Sequence, residues 1–212
     1  MEALKKAAVL RVQKQTEGRR DEEVTSISLS GVPALPELWS RYTQLTHLFL
    51  VCMKPKLRGL DIIGLEHLPA LRLLDVSDNV VSIPAALPAV PSLARLLMPN
   101  NRVATMAEVD TLATSFPNLE VLDLADNDVD TPAHFTAVFV KFSKLVALNS
   151  RARNGSEVVV EDSDESQSSE EESEESEESD ESEEEEEEED DDGAPAPKKP
   201  RPEYGHTQDG ST

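Results

Sequence analysis

Three segments of the chain superimpose on one pattern, L-x-x-L-x-[LVM]-x-x-N-x-V: LRLLDVSDNVV from Leu71, LARLLMPNNRV from Leu93 and LEVLDLADNDV from Leu119. Two weaker copies precede them, VTSISLSGV from Val24 and LTHLFLVCM from Leu45, and a truncated LVALN follows from Leu145. Successive starts lie 21, 26, 22, 26 and 26 residues apart. A unit this short cannot bury its own apolar face. Each must cover its neighbour's, so the chain is confined to architectures in which units stack.

The period and the pattern are those of a leucine-rich repeat. They predict an α/β leucine-rich-repeat solenoid, with a parallel β-sheet on the concave face, a helical or irregular convex side, and a disordered acidic C-terminal tail. Each repeat contributes one short strand, the strands stack about 4.8 Å apart, and the leucines point inward into a continuous core. Asn79, Asn101 and Asn127 fall where the chain leaves the strand, so their amides are expected to satisfy the backbone of the bend. The repeat from Leu45 carries Met53 at that position and the first repeat also lacks an Asn, so the ladder should begin at the third repeat. MAEVDTLATSF and PAHFTAVFVKFSK are the segments expected to build the convex side.

Solenoid ends need polar caps. Leu4, Ala7, Ala8, Leu10 and Arg11 recur at helical spacing, which predicts an N-terminal capping helix within residues 1–23. The repeat domain then spans 24–154, with about five repeats and a polar C-terminal cap around NSRARNG. Alternation along each strand sends the residues on either side of the central Leu or Ile to the concave face. One column is Ser26, His47, Leu73, Arg95, Val121 and Ala147; the other is Ser28, Phe49, Asp75, Leu97, Asp123 and Asn149. Phe49, Leu73, Leu97 and Val121 are apolar groups that this pattern places in solvent beside Arg95, Asp75 and Asp123. Desolvatable anchors with polar registration suit a protein-docking face, whose candidate residues are His47, Phe49, Leu73, Asp75, Arg95, Leu97, Val121 and Asp123.

Catalytic patterns are missing from the sequence. His47, His67, His134 and His206 show no HxxxH or HExxH spacing, and the eight glycines form no phosphate loop. Cys52 is the lone cysteine, so an internal disulfide is impossible, and it is expected to be buried and inert. Trp39 is expected between the first two repeats. Neither catalysis, nor a cofactor, nor a metal is expected, and no apolar run reaches the roughly 18 residues of a membrane span.

The formal charge of -23 is concentrated in one place. Residues 157–192 hold 24 Asp or Glu and no Lys or Arg, whereas residues 1–156 hold 17 acids and 17 bases. With almost no apolar residues after Val160, residues 155–192 read as a disordered acidic Ser/Glu/Asp tail. A dense polyanion repels nucleic acid and attracts basic proteins, above all those that otherwise bind DNA. Ser168, Ser169 and Ser182 have Glu three residues on, as acidophilic kinases require. Ser173, Ser176 and Ser179 have Ser there and would qualify once Ser182 and its neighbours were phosphorylated, each phosphate adding about -1.5 to -2 charges. Residues 193–212 form a Pro-containing linker with Lys198, Lys199 and Arg201 in KKPR, a minimal nuclear-import match suited to an importin groove.

LRLLDVSDNVVS, LEVLDLADNDV, the acidic low-complexity tract and KKPRPEYG together resemble the acidic leucine-rich nuclear phosphoprotein 32 family, over essentially the whole chain. The resemblance implies a nuclear protein that binds histones, masks or delivers them, and inhibits protein phosphatase 2A. Two readings stay open. One is a histone-binding chaperone or chromatin regulator, in which the tail supplies affinity and the concave face selection. The other is a phosphatase-inhibiting or signalling adaptor acting through the repeat domain. The chain is expected to be monomeric and to reside in the nucleus, with shuttling to the cytoplasm left open. Replacing Lys198, Lys199 and Arg201 by Ala should move a fluorescently tagged chain out of the nucleus; an unchanged distribution would show that KKPR is not an import signal.

Overall fold

The structure, a computed structural model, describes residues 1–159. Each repeat begins with a strand two to five residues long: β1 (Ser26–Ser30), β2 (His47–Val51), β3 (Leu73–Asp75), β4 (Arg95–Leu97), β5 (Val121–Asp123) and β6 (Ala147–Leu148). They pair in chain order into one parallel sheet. Ile27, Leu48, Leu74, Leu96, Leu122 and Leu148 stand in register along it, all buried, and form the first ladder of the core. Two residues on, Leu29, Leu50, Val76, Met98 and Leu124 are the second buried row. The repeat pattern is thus a leucine-rich-repeat solenoid.

Leaving each strand, the chain bends through one left-handed residue: Gly31 (φ 66°), Cys52 (52°), Asp78 (57°), Asn100 (52°) and Asp126 (56°). Asp and Asn tolerate this region better than other non-glycine residues, which explains the acid or amide before each ladder Asn. The next residue closes the bend. Asn101 Oδ1 accepts from Val81 N–H (2.9 Å), and its Nδ2 donates towards Val76 O (3.0 Å) and Met98 O (3.0 Å). Asn127 repeats this with Val103 N–H, Met98 O and Leu124 O. Asn79 accepts from both Met53 and Leu57 N–H (3.1 Å each) and donates to Leu50 O (2.8 Å) and Val76 O (2.9 Å). Each amide ties its own repeat to the preceding one. The ladder begins at the third repeat, and Val32 and Met53 fill the earlier positions as buried apolar residues.

The convex side changes along the solenoid. The 26-residue intervals after β4 and β5 contain ten-residue helices, α2 (Met106–Ser115) and α3 (Pro132–Lys141), where the apolar segments predict them, and Lys141 Nζ on α3 is ion-paired with Asp110 on α2. The intervals after β1, β2 and β3 have no α-helix, although the one after β2 is also 26 residues long. Thr105 caps α2 and Glu108 reciprocates in a capping box. Glu108 also accepts from Ile83 N–H of the preceding repeat (2.9 Å). Burial alone would raise its pKa, but hydrogen bonds from Ile83, Ala104 and Thr105 N–H hold it below the ordinary glutamate value.

The N-terminal helix, α1 (Glu2–Thr16), lies within the expected span and turns Leu4, Ala7 and Ala8 of the expected face inward, but not Leu10 or Arg11. Ala8 and Val12 are buried, whereas Leu10 is 64% exposed. The cause is polar. Gln15 lies against β1, accepting from Ser28 N–H (2.8 Å) and donating to Ser28 O (2.9 Å), while Arg11 donates to Ser30 O. Those contacts fix the rotation of the helix and leave Leu10 outside. At the other end Leu148 bridges Arg151 and Arg151 bridges Glu157, with Val158 N–H donating to Ser150 O (2.9 Å). The ordered cap therefore extends past residue 154, where the repeat domain was expected to stop. Arg153 donates to Phe139 O (2.9 Å) in the last turn of α3, and its guanidinium sits 5.5 Å from the Phe139 ring centroid.

Asn101→Ala should lower stability by about 2 kcal/mol, because it strands Val81 N–H, while Val76 O and Met98 O each keep a donor in Asn79 and Asn127. Asn118, which makes one exposed hydrogen bond to Pro91 O, is the control: Asn118→Ala should cost less than about 1 kcal/mol in the same urea titration.

Candidate docking face of the sheet

Strand register places the candidate residues in two files across the open face. His47, Leu73, Arg95 and Val121 are successive partners in one, and Phe49, Asp75, Leu97 and Asp123 in the other. All except Leu73 are half-buried. Leu73 is only 4% exposed, contrary to the solvent position expected from alternation. Its neighbours in the file are His47 and Arg95, at the spacing of adjacent strands. Leu73 thus supports the face from below.

Phe49 and His47 stack, with ring centroids 6.5 Å apart and planes 11° from parallel, and the Thr46 hydroxyl lies 2.8 Å from His47 Nδ1. Leu97 separates Asp75 from Asp123, which puts the two carboxylates about 10 Å apart. Each is held by its own turn: Asp75 accepts from Ser77 N–H (2.9 Å) and Asp123 from Ala125 N–H (2.9 Å). Burial pushes the Asp123 carboxyl above its ordinary range, and the charges of Asp130, Asp75 and Asp126 push it the same way, against the Ala125 hydrogen bond. The face accordingly carries an apolar patch towards β2 and a concentration of acid towards β5. The last members of the files depart from the pattern. Ala147 is buried, and Asn149 turns left-handed (φ 51°) to accept from Leu124 N–H (2.8 Å) and donate to Asp130 Oδ1 (2.9 Å), as part of the cap.

Other expected positions resolve individually. Trp39 is fully buried and donates to Ile63 O (3.1 Å), tying the convex arcs that follow β1 and β2. Cys52, expected to be buried, is half-exposed because it occupies the left-handed bend, where Lys56 Nζ lies 3.5 Å from its sulfur. His134 lies 3.1 Å from Val129 O and His67 is beside Glu66, so the described histidines do not converge. Among the described residues, no group of three or more His, Cys, Asp or Glu could hold a metal ion, and no helix is long and apolar enough to cross a membrane. Ser168, Ser169, Ser173, Ser176, Ser179, Ser182, Lys198, Lys199, Arg201 and His206 lie outside the described residues.

No protein-family model matches the chain, and no curated protein matches it. Among solved structures, the crystal structure of the Drosophila melanogaster SNF/U2A' complex is similar at 25% identity, over 45% of this chain and 71% of that one, with a TM-score of 0.32. A superposition that loose carries no argument, and the leucine-rich-repeat assignment rests on the register and the asparagine ladder.

The raised Asp123 carboxyl has a definite sign in stability. The folded state binds this proton more readily than the unfolded state, so ionisation costs stability once the pH exceeds the folded pKa. Asp123→Asn keeps an acceptor for Ala125 N–H and removes that cost. The variant should melt at a higher temperature than the parent at pH 7, and the gap should close below the ordinary aspartate value of 3.8.

Proposed function

We propose that this chain is a non-catalytic protein-interaction module that binds histones or comparably basic proteins as a chaperone or chromatin regulator. The acidic tract supplies affinity and the open face of the sheet selects. The observation that carries the reading is the separation of charge: 24 acids without one base in residues 157–192, against an even balance in residues 1–156. A polyanion of that density attracts a basic partner over distances that salt shortens, from a Debye length of about 8 Å at physiological ionic strength to about 3 Å at 1 M. Asp75, Asp123 and Asp130 extend the same sign onto and beside the folded face. The resemblance to the acidic leucine-rich nuclear phosphoprotein 32 family points the same way. Nuclear residence through Lys198, Lys199 and Arg201, and phosphorylation of Ser168, Ser169 and Ser182 by an acidophilic kinase, belong to this proposal.

A second reading is favoured by the apolar patch. Phe49, stacked on His47, and Leu97 offer half-exposed anchors that a repeat domain acting alone could use, as in a protein phosphatase 2A inhibitor or signalling adaptor.

One pair of proteins separates the two readings: the full chain, and a chain ending at Val159, which keeps the bridge from Arg151 to Glu157. Core histones should bind the full chain more than about tenfold tighter at physiological salt, with the difference shrinking towards 1 M. Equal affinities would sink the first reading. The second predicts that the shortened chain still inhibits the phosphatase and that Phe49→Ala or Leu97→Ala raises the half-inhibitory concentration about tenfold.

A further inference from the structure

Beyond the asparagine ladder, three consecutive repeats run in register on the turn side of the solenoid. Val80 N–H donates to Leu57 O (3.0 Å), Ser82 N–H to Arg58 O (3.0 Å) and Arg102 N–H to Val81 O (2.9 Å). This register brings Arg58, Val80, Ser82 and Arg102 together as the lining of one groove of about 470 Å³.

Several guanidinium groups elsewhere are occupied by the fold. Arg11 donates to Ser30 O, Arg20 pairs with Glu23, Arg41 meets the Tyr42 hydroxyl and Asp21, and Arg153 donates to Phe139 O. The guanidinium groups of Arg58 and Arg102 make no hydrogen bond or ion pair with another described residue. The nearest sequence acid, Asp61, has its carboxylate beside Gly59 and is not one of the described residues that line the groove. Lys56 adds a further positive charge to the same arc, fixed there by donation to Asp78 O.

Two guanidinium groups at one groove, without a partner among the described residues, repel each other unless an anion lies between them. A carboxylate has two oxygens and satisfies one planar fork. A phosphoryl group carries up to two charges and three acceptor oxygens, enough for both forks and the Ser82 hydroxyl. Among the described residues no aromatic ring lines the groove to stack a nucleobase, while Val80 offers an apolar wall to a side chain. We propose that the groove between Arg58 and Arg102 is a docking site for a phosphorylated serine or threonine on a partner peptide.

The test is fluorescence anisotropy on the unphosphorylated full chain, with a labelled degenerate heptapeptide pool carrying a central phosphoserine and with its unphosphorylated counterpart. The phosphorylated pool should bind at least about tenfold tighter, and inorganic phosphate should compete with it. The preference should vanish in R58Q/R102Q and fall in Arg58→Lys, which keeps the charge and loses the fork. Both positions are exposed, so the melting temperatures should not move. Equal binding of the two pools, full retention in R58Q/R102Q, or tighter binding of a single-stranded oligonucleotide through the same arginines would overturn the proposal.

Discussion

Each time the chain leaves a strand it bends sharply inside the protein, where water cannot pair the backbone it exposes. An unpaired buried N–H or C=O costs about 1–3 kcal/mol, more than one leucine contact returns, so the bend is the step on which stacking depends. In the three central repeats one amide resolves it. Asn79, Asn101 and Asn127 each serve two repeats at once, accepting from one and donating to both, which makes the solution shared between neighbours. The left-handed residue just before each amide is part of the same device, because it aims the side chain at the preceding turn.

With the bends fixed, the strands are held in strict register, and the open face inherits that order. Residues of one file come from successive repeats, separated in sequence by 21 to 26 positions, yet they lie side by side. The face can therefore grade its chemistry along the solenoid, apolar around Phe49 and His47 and acidic around Asp123. Grading of this kind gives a partner an orientation as well as a place. On the turn side the same register assembles Arg58, Ser82 and Arg102 from three repeats, which none of them does alone.

Much of this was legible in the residues. The leucine period fixes strand positions because an inward row tolerates little but Leu, Ile, Val and Met, and the files across the sheet follow from counting. What escaped depended on contacts between residues far apart in sequence. Leu73 looks solvent-facing by alternation yet is buried between His47 and Arg95 in the file. Leu10 fits an apolar helical face, but Gln15 and Arg11 rotate the helix by binding β1. Cys52 occupies a bend that Asp78, Asn100 and Asp126 mark by composition, so aligning SDN, PNN and ADN with VCM would have shown its conformation. The groove of Arg58 and Arg102 had no such signal, since the two belong to different positions of the repeat.

Gln15 pairs with both the N–H and the C=O of Ser28, occupying the outer edge of β1 as another strand would. At the far end the chain doubles back from Leu148 through Arg151 to Glu157. Both margins of the sheet are sealed by segments outside the repeat pattern, so a second sheet has nowhere to add at Ser28. A whole repeat between Leu71 and Glu120 can therefore be added or removed without touching either seal, which leaves the middle of the molecule as the place where its length is free.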